Sequence, residues 1–143
     1  MKTRAIIYWV TTVLLAFGLL SSGLAELTRR PENVEGMVHL GYPLYFMMIL
    51  GFWKVLGALA ILAPRFPQLK EWAYAGIFFN MTGAAVSHSV LGDAVWHVAV
   101  TLGFAVLAIA SWALRPQSRT LAIASTQQEK AQESSVAVAE LAS

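Results

Sequence analysis

Four long apolar stretches constrain the fold of this chain more than any other feature of the sequence. They cover residues 6–27, 42–63, 72–91 and 95–114. A helix rises about 1.5 Å per residue, so about 20 residues span a hydrocarbon core of about 30 Å. Because the connections are short, neighbouring helices should be antiparallel. The sequence therefore predicts an all-α integral membrane protein built as a four-helix up-down bundle.

The composition favours the same class. Hydrophobic residues make up 57% of the 143 residues and charged residues 13%, a balance too apolar for a soluble domain. The net charge is only +2, and the basic residues form no stripe along the sequence. We therefore expect a lipid bilayer and no nucleic acid as partner. The absence of cysteine excludes disulfides and dithiol relays. Any redox role then needs a bound cofactor or a partner subunit.

Arginine and lysine predict the orientation. Most of them fall on one side of the predicted bundle: Lys2, Arg4, Arg65, Lys70, Arg115 and Arg119. Arg29 and Arg30 fall on the other side. Because loops rich in Lys and Arg stay in the cytoplasm, we expect a bacterial-type inner membrane protein with both termini cytoplasmic.

The membrane domain should cover residues 1–115. Beyond it, residues 116–143 are rich in Ser, Ala, Gln and Glu and contain few large apolar side chains. Such a segment cannot bury enough apolar surface to order itself. The sequence predicts a disordered cytoplasmic tail.

Small residues recur at helical spacing on two of the predicted spans. The positions are Gly18, Ser22 and Glu26 on the first span and Gly76, Asn80, Gly83 and Ser87 on the third. Small side chains let helices approach closely in a membrane. We expect these faces to pack against neighbouring helices.

Lys54 is the residue that packing explains least. It lies about 18 Å from the outer end of the second span, hence about 13 Å from the inner end, and Asn80 lies about 12 Å from the inner end of the third span, so the two could share a level. A lysine there costs roughly 3 kcal/mol or more, and we expect no intramembrane carboxylate at that level. Lys54 would then be partly deprotonated, reach an inner water pocket, or meet an anionic or carbonyl-bearing ligand; a snorkelling, structural lysine remains the alternative. The candidate ligand-binding residues are Lys54, Asn80, Trp53, Ser87 and His88.

A second polar group should gather toward the outer surface. Its candidates are Glu26, His39, Asp93 and His97, with His88 nearby. Imidazole and carboxylate groups can bind a metal, move protons or hold a quinone headgroup. His88 and His97 lie on different spans and no His-Glu-x-x-His box is present, so the sequence assigns no metal site and no catalytic residue.

Several segments resemble the DoxX-like family. The most distinctive are Gly-Phe-Trp-Lys-Val-Leu-Gly-Ala at 51–58 and Lys-Glu-Trp-Ala-Tyr-Ala-Gly at 70–76, with Ala-Pro-Arg-Phe-Pro at 63–67 between them. The resemblance extends over residues 6–115. It implies a small four-helix membrane protein whose better-known relatives are membrane subunits linked to quinone-dependent sulfur oxidation or to redox assemblies. It supplies no catalytic residues, and the intramembrane polar position that is often acidic in such proteins is Asn80 here.

Three classes of function stay open at this point. The first is a membrane subunit of a redox assembly, with an oxidoreductase partner and a quinone near Lys54 and Asn80. The second is a small-molecule permease or exporter, enlarged by association of two copies of the chain. The third is a noncatalytic organiser that binds partner helices.

Overall fold

Helices form all the regular structure in the described part of the chain. The computed structural model describes residues 2–116 and 119–141, and for residues 121–125 and 140–141 it describes the backbone alone. The helices are α1 (Lys2–Leu27), α2 (Pro31–His39), α3 (Leu44–Leu62), α4 (Pro67–Val90), α5 (Val95–Ala113) and α6 (Leu121–Leu141). The described residues contain no strand, which confirms the all-α class.

Three of these helices, α1, α3 and α5, are long and apolar enough to cross a membrane. Helix α4 has 24 residues, which is also sufficient length, but it is more polar. Its Gln68, Lys70, Glu71, Asn80 and His88 lower its hydropathy. The protein is therefore a helical membrane protein with three spans supported by length and composition.

Two helices occur where the sequence predicts none. Helix α2 lies in the first connection and begins at Pro31, whose fixed backbone angle and missing N–H suit the first helical position. Helix α6 lies within residues 116–143, for which the sequence predicts a disordered tail. Residues 117–118 and 142–143 lie outside the described residues. Alanine, glutamine and glutamate favour helix even where no core is available, and the described α6 side chains at 126–139 are exposed.

Helices α1, α3, α4 and α5 pack as a closed ring of neighbours. Helix α1 packs most extensively on α3 and α4 on α5, while α1–α5 and α3–α4 contacts complete the ring. The buried cluster at the centre consists of Leu15, Ala16, Leu19, Ala58, Ile61, Tyr74, Ile77, Met81, Ala105 and Ala108. We call the end of the ring that holds Lys2 the N-terminal end, and the end that holds α2 the opposite end.

A buried hydrogen-bond network joins three helices near the N-terminal end. Ser111 Oγ on α5 lies 2.6 Å from Thr12 Oγ1 on α1 and 2.7 Å from the Tyr74 hydroxyl on α4. Thr12 also donates to the backbone carbonyl of Tyr8 at 2.7 Å. Buried polar groups need such partners, so the network sets the register of α1, α4 and α5.

Large apolar side chains cover the outer faces of the ring. Phe17 is 71% exposed, Trp72 69%, Phe79 70% and Val95 82%. Soluble monomers rarely expose so much contiguous apolar surface. These faces suit contact with lipid.

Helices α1 and α3 approach each other closely at Gly23 and Gly51. A Cβ added to Gly51 would lie 2.8 Å from the Gly23 carbonyl oxygen, and one added to Gly23 would lie 2.9 Å from the Gly51 carbonyl oxygen. Neither glycine belongs to the small-residue faces that the sequence suggests. A Cβ at Gly76 or Gly83 would meet nothing within 4 Å, so the expectation that these two glycines pack against a neighbouring helix is wrong.

The opposite end is organised by three similar helix endings. Helices α1, α2 and α4 are each followed by a residue in the left-handed region, Arg29 (φ 51°), Gly41 (φ 77°) and Gly92 (φ 70°). After α4, the Asp93 amide donates to the His88 carbonyl at 3.0 Å, the bond that defines a Schellman motif. This turn brings Asp93 back over the last turn of α4.

The α1–α3 crossing predicts a position-specific cost of adding one methyl group. Gly51→Ala should lower the free energy of unfolding by about 1–3 kcal/mol, because the new Cβ meets backbone that cannot rotate away. Gly83→Ala is the matched control, since its Cβ enters open space and alanine favours helix. Thermal unfolding in detergent measures both, and equal melting temperatures for the two variants would contradict the crossing.

Candidate functional site

A buried ion pair joins α1 to α3. Lys54 Nζ on α3 donates to Glu26 Oε1 on α1, and the two side chains are only 13% and 10% exposed. The expectation that no carboxylate reaches the level of Lys54 is therefore wrong. A charge-paired lysine is far less costly in a membrane than an isolated one.

Helix geometry explains why this pair forms. Side chains lean toward the N-terminus of their own helix. Because α1 and α3 are antiparallel, Glu26 leans toward the N-terminal end while Lys54 leans toward the opposite end, and they meet beside Gly51. Counting residues along each helix places Glu26 and Lys54 too far apart, because it locates backbone positions and ignores where the side chains reach.

The pair leaves one polar atom without a partner. Glu26 Oε2 is buried and accepts no hydrogen bond from the described residues. The ammonium of Lys54 has two further N–H groups beyond the one that bonds Glu26. The site therefore has spare donors on Lys54 and a spare acceptor on Glu26.

A groove between α3 and α4 begins beside Lys54. Its volume is about 610 Å³, and its walls are almost entirely apolar. The lining residues are Leu19, Leu50, Trp53, Lys54, Leu56, Gly57, Leu59, Ala60, Ala63, Phe66, Leu69, Trp72, Ala73, Gly76, Ile77 and Asn80. The structure thus places three of the candidate ligand-binding residues, Trp53, Lys54 and Asn80, in one groove.

The small residues of α4 make room for this groove. Gly76 lines it, and a Cβ at Gly76 would have no neighbour within 4 Å. Asn80 lies one helical turn farther along the same face and also lines the groove. Part of the face expected to pack against a helix therefore opens a space.

The other two ligand-binding candidates lie elsewhere. Ser87 Oγ is 2.8 Å from the Tyr42 hydroxyl and donates to the Gly83 carbonyl at 3.0 Å. His88 follows it at the end of α4. Both residues belong to the opposite end, away from the Lys54 groove.

Asp93 joins the histidines of the opposite end. Its Oδ1 is 2.6 Å from His39 Nε2, and its Oδ2 is 2.6 Å from His88 Nδ1. The His97 ring stacks on the His88 ring with centroids 5.2 Å apart. Four residues of the outer group thus come together, and Glu26 is separated from them because it pairs with Lys54.

The electrostatics of this histidine cluster keep Asp93 ionised. Hydrogen bonds from His88 and His39 hold the pKa of Asp93 below its ordinary value of 3.8. His97 Nδ1 is buried and has no partner among the described residues. No three described His, Asp or Glu side chains are arranged to hold a metal ion. The arrangement can exchange protons through its imidazoles.

Comparison with known proteins decides the family. A sequence model of the DoxX-like family matches residues 10–111, which include all of α2, α3 and α4 and most of α1 and α5. The chain belongs to the DoxX-like family. It is 32% identical over 77 residues to the uncharacterised protein YdgD of Bacillus subtilis (strain 168), an alignment covering 54% of this chain and 67% of that protein. No solved structure matches the chain.

Sequence reasoning missed a polar group at the N-terminal end of this DoxX-like protein. Lys70 is fully buried, and its ammonium donates to the carbonyls of Ala60 at 2.9 Å and Ile61 at 3.0 Å, and to that of Ala63. These carbonyls end α3 and lack helical partners. The signal available was a lysine in the first turn after Pro67, directly following a tight connection.

The ion pair of this DoxX-like protein predicts strong coupling between its partners. Lys54→Met and Glu26→Gln should each lower the free energy of unfolding by about 3 kcal/mol, because each leaves a buried polar group unpaired. The double variant should lose much less than the sum. Denaturant unfolding in micelles measures the cycle, with Lys130→Met on the exposed face of α6 as control. Additive losses would contradict the pairing.

The histidine cluster predicts a pH-dependent contribution of Asp93. Its pKa is lower in the folded protein, so ionised Asp93 stabilises the fold above pH about 3.8 and loses this effect as pH falls through the folded pKa. Asp93→Asn should therefore melt at a lower temperature than wild type near neutral pH, and the two curves should converge in acid. Glu35→Gln, an exposed change on α2, is the control. A constant difference at every pH would contradict this assignment.

Proposed function

We propose that this DoxX-like protein is a membrane subunit of a quinone-linked redox assembly, and that the α3–α4 groove holds the quinone. The observation that carries the proposal is an apolar groove with Lys54 and Asn80 at one end. Quinone carbonyl oxygens accept hydrogen bonds, and the attached isoprenoid chain is apolar. The volume of about 610 Å³ is typical of small-molecule sites.

The proposal includes four spans in an up-down bundle. Helix α4 lies between α3 and α5 in sequence and packs on both. Its outward side chains include Trp72, Phe79 and Val86, which are all exposed and apolar. A helix of 24 residues is about 36 Å long, enough to cross the hydrocarbon core.

The proposed location is a bacterial-type inner membrane with both termini in the cytoplasm. At the N-terminal end, Arg4 donates to the Ala113 carbonyl at 3.1 Å and Arg115 donates to Glu71 at 2.6 Å. Arginines of α1 and of the end of α5 therefore share one side. This agrees with the preference of basic residues for the cytoplasmic face.

The polar residues and the apolar walls of the groove have different roles in this proposal. Lys54 would hold a quinone carbonyl oxygen through an N–H that Glu26 does not use, and its positive charge would favour negative charge on that oxygen. Asn80 donates through its side-chain amide. The apolar walls exclude water and hold the chain of the ligand.

The proposal also needs a source of electrons and protons. A bound quinone would supply the two-electron chemistry, and an oxidoreductase partner would deliver or take the electrons. The histidine cluster around Asp93 would exchange protons with water at the outer side. This division of tasks makes the chain the quinone-holding part of a larger assembly.

The core of the fold favours this function over a permease. Leu15, Leu19, Ile61 and Ile77 are fully or almost fully buried at the centre of the helix ring, so apolar packing fills the space where a pathway through one chain would lie. The packing gives no comparable argument against a membrane organiser.

Two glycines on α4 allow a sharp test. Gly76→Leu should place a side chain in the groove and reduce copurifying quinone by about tenfold, since overpacking costs 1–3 kcal/mol and 1.4 kcal/mol is tenfold. Gly83→Leu is the matched control, because this exposed glycine lies on the same helix and does not line the groove. Extraction of quinones from the gently purified protein, followed by mass spectrometry, gives the measurement.

Lys54→Met completes the experiment, since it removes the donor without filling the groove. It should also reduce bound quinone, whereas Gly83→Leu should not. Equal quinone in all four proteins, or none in wild type from quinone-containing membranes, would overturn the proposal. Substrate flux in liposomes without bound quinone would indicate a permease, and stable partner recovery without either would indicate an organiser.

A further inference from the structure

An arginine at the N-terminal end has an unused hydrogen-bond donor. The Arg115 side chain is only 4% exposed, and its Nη2 donates to Glu71 Oε1 at 2.6 Å. Its Nε donates to the Trp112 carbonyl at 3.0 Å. Its Nη1 is buried and has no partner among the described residues. The large majority of buried side-chain donors in folded proteins have a hydrogen-bond partner. The unpaired Nη1 of Arg115 therefore indicates a missing acceptor.

The surroundings of Arg115 carry a surplus of positive charge. Arg119 lies over the Trp9 ring at 4.8 Å, and both arginines are close enough to Lys70 to repel its ammonium group. Glu71 is the one carboxylate that forms an ion pair with this group in the described part of the chain. Three cations therefore face one anion.

Lys70 has its donors occupied and does not contribute one to an added anion. Its ammonium is bound to the carbonyls at the end of α3. Arg119 uses Nη1 for a 3.3 Å hydrogen bond to the Tyr8 hydroxyl. The donors left for an anion are thus on the two guanidinium groups, whose planar forks suit the oxygens of phosphate.

The position of the group points to the same ligand. The Arg115 guanidinium is 5.6 Å from the Trp112 ring centroid, and Arg119 contacts Trp9. Tryptophan concentrates at the headgroup level of membranes. Phosphate oxygens are the abundant anionic acceptors at that level.

We infer that Arg115 and Arg119 form a phosphate-binding site at the N-terminal end of the bundle, filled by an anionic lipid headgroup or by free phosphate. The site is separate from the α3–α4 groove. It does not depend on the quinone proposal, so either can fail alone.

The test uses the full-length protein in mild, phospholipid-free detergent and compares two sources of phosphate. In the first arm, phosphatidylglycerol or phosphatidylcholine is added and retained lipid is counted by native mass spectrometry. In the second arm, inorganic phosphate is titrated by calorimetry. Arg119→Gln is the main variant, and Arg30→Gln removes the same charge at the opposite end as control.

In the lipid arm, wild type and Arg30→Gln should bind phosphatidylglycerol in preference to phosphatidylcholine; in the phosphate arm, they should bind inorganic phosphate. At least one of these results is expected, and Arg119→Gln should weaken the binding seen there about tenfold. Loss in the lipid arm identifies a headgroup, and loss in the phosphate arm identifies free phosphate. Arg119→Lys, which keeps charge without the fork, should recover only part of the binding.

Arg115→Gln provides a second readout but also breaks the Glu71 ion pair, so circular dichroism and size-exclusion chromatography must show that it folds. If it does not fold, the Arg119 variants decide the result. Arg119→Gln binding equal to Arg30→Gln in both arms overturns the site.

Discussion

The ion pair between Glu26 and Lys54 is the interaction on which the arrangement of this membrane protein depends. It is largely buried, and it lies beside the close approach of α1 and α3, where Gly23 and Gly51 bring two backbones together. The glycines permit the approach, and the opposite charges specify which residues face each other. A lysine placed in lipid without this carboxylate would cost several kcal/mol more.

This pairing also determines what the α3–α4 groove can offer. Lys54 pairs with Glu26 through one N–H, and it retains further N–H groups for another acceptor. At the opposite end, Asp93 arranges two histidines through a helix ending that the Gly92 backbone makes possible. The protein therefore separates a donor in the groove from a histidine cluster at the opposite end. The proposed quinone function uses both.

Much of the fold follows from the sequence, because long apolar stretches have few alternatives to membrane helices. Lys54 and Asn80 were also predictable as polar groups at related positions. The Glu26 partner was missed because its position along α1 says little about where its side chain reaches. Gly76 was misassigned to helix packing because a small residue equally permits contact or leaves space. Only the arrangement of neighbouring helices distinguishes these outcomes.

Exchanging the two charges tests the central claim most directly. Glu26→Lys should place two ammonium groups together, and Lys54→Glu two carboxylates, so each variant should melt well below wild type in detergent. Combining the two substitutions restores opposite charges across the same α1–α3 crossing. The account predicts that the double variant recovers most of the lost melting temperature. A double variant no more stable than either single variant would contradict it.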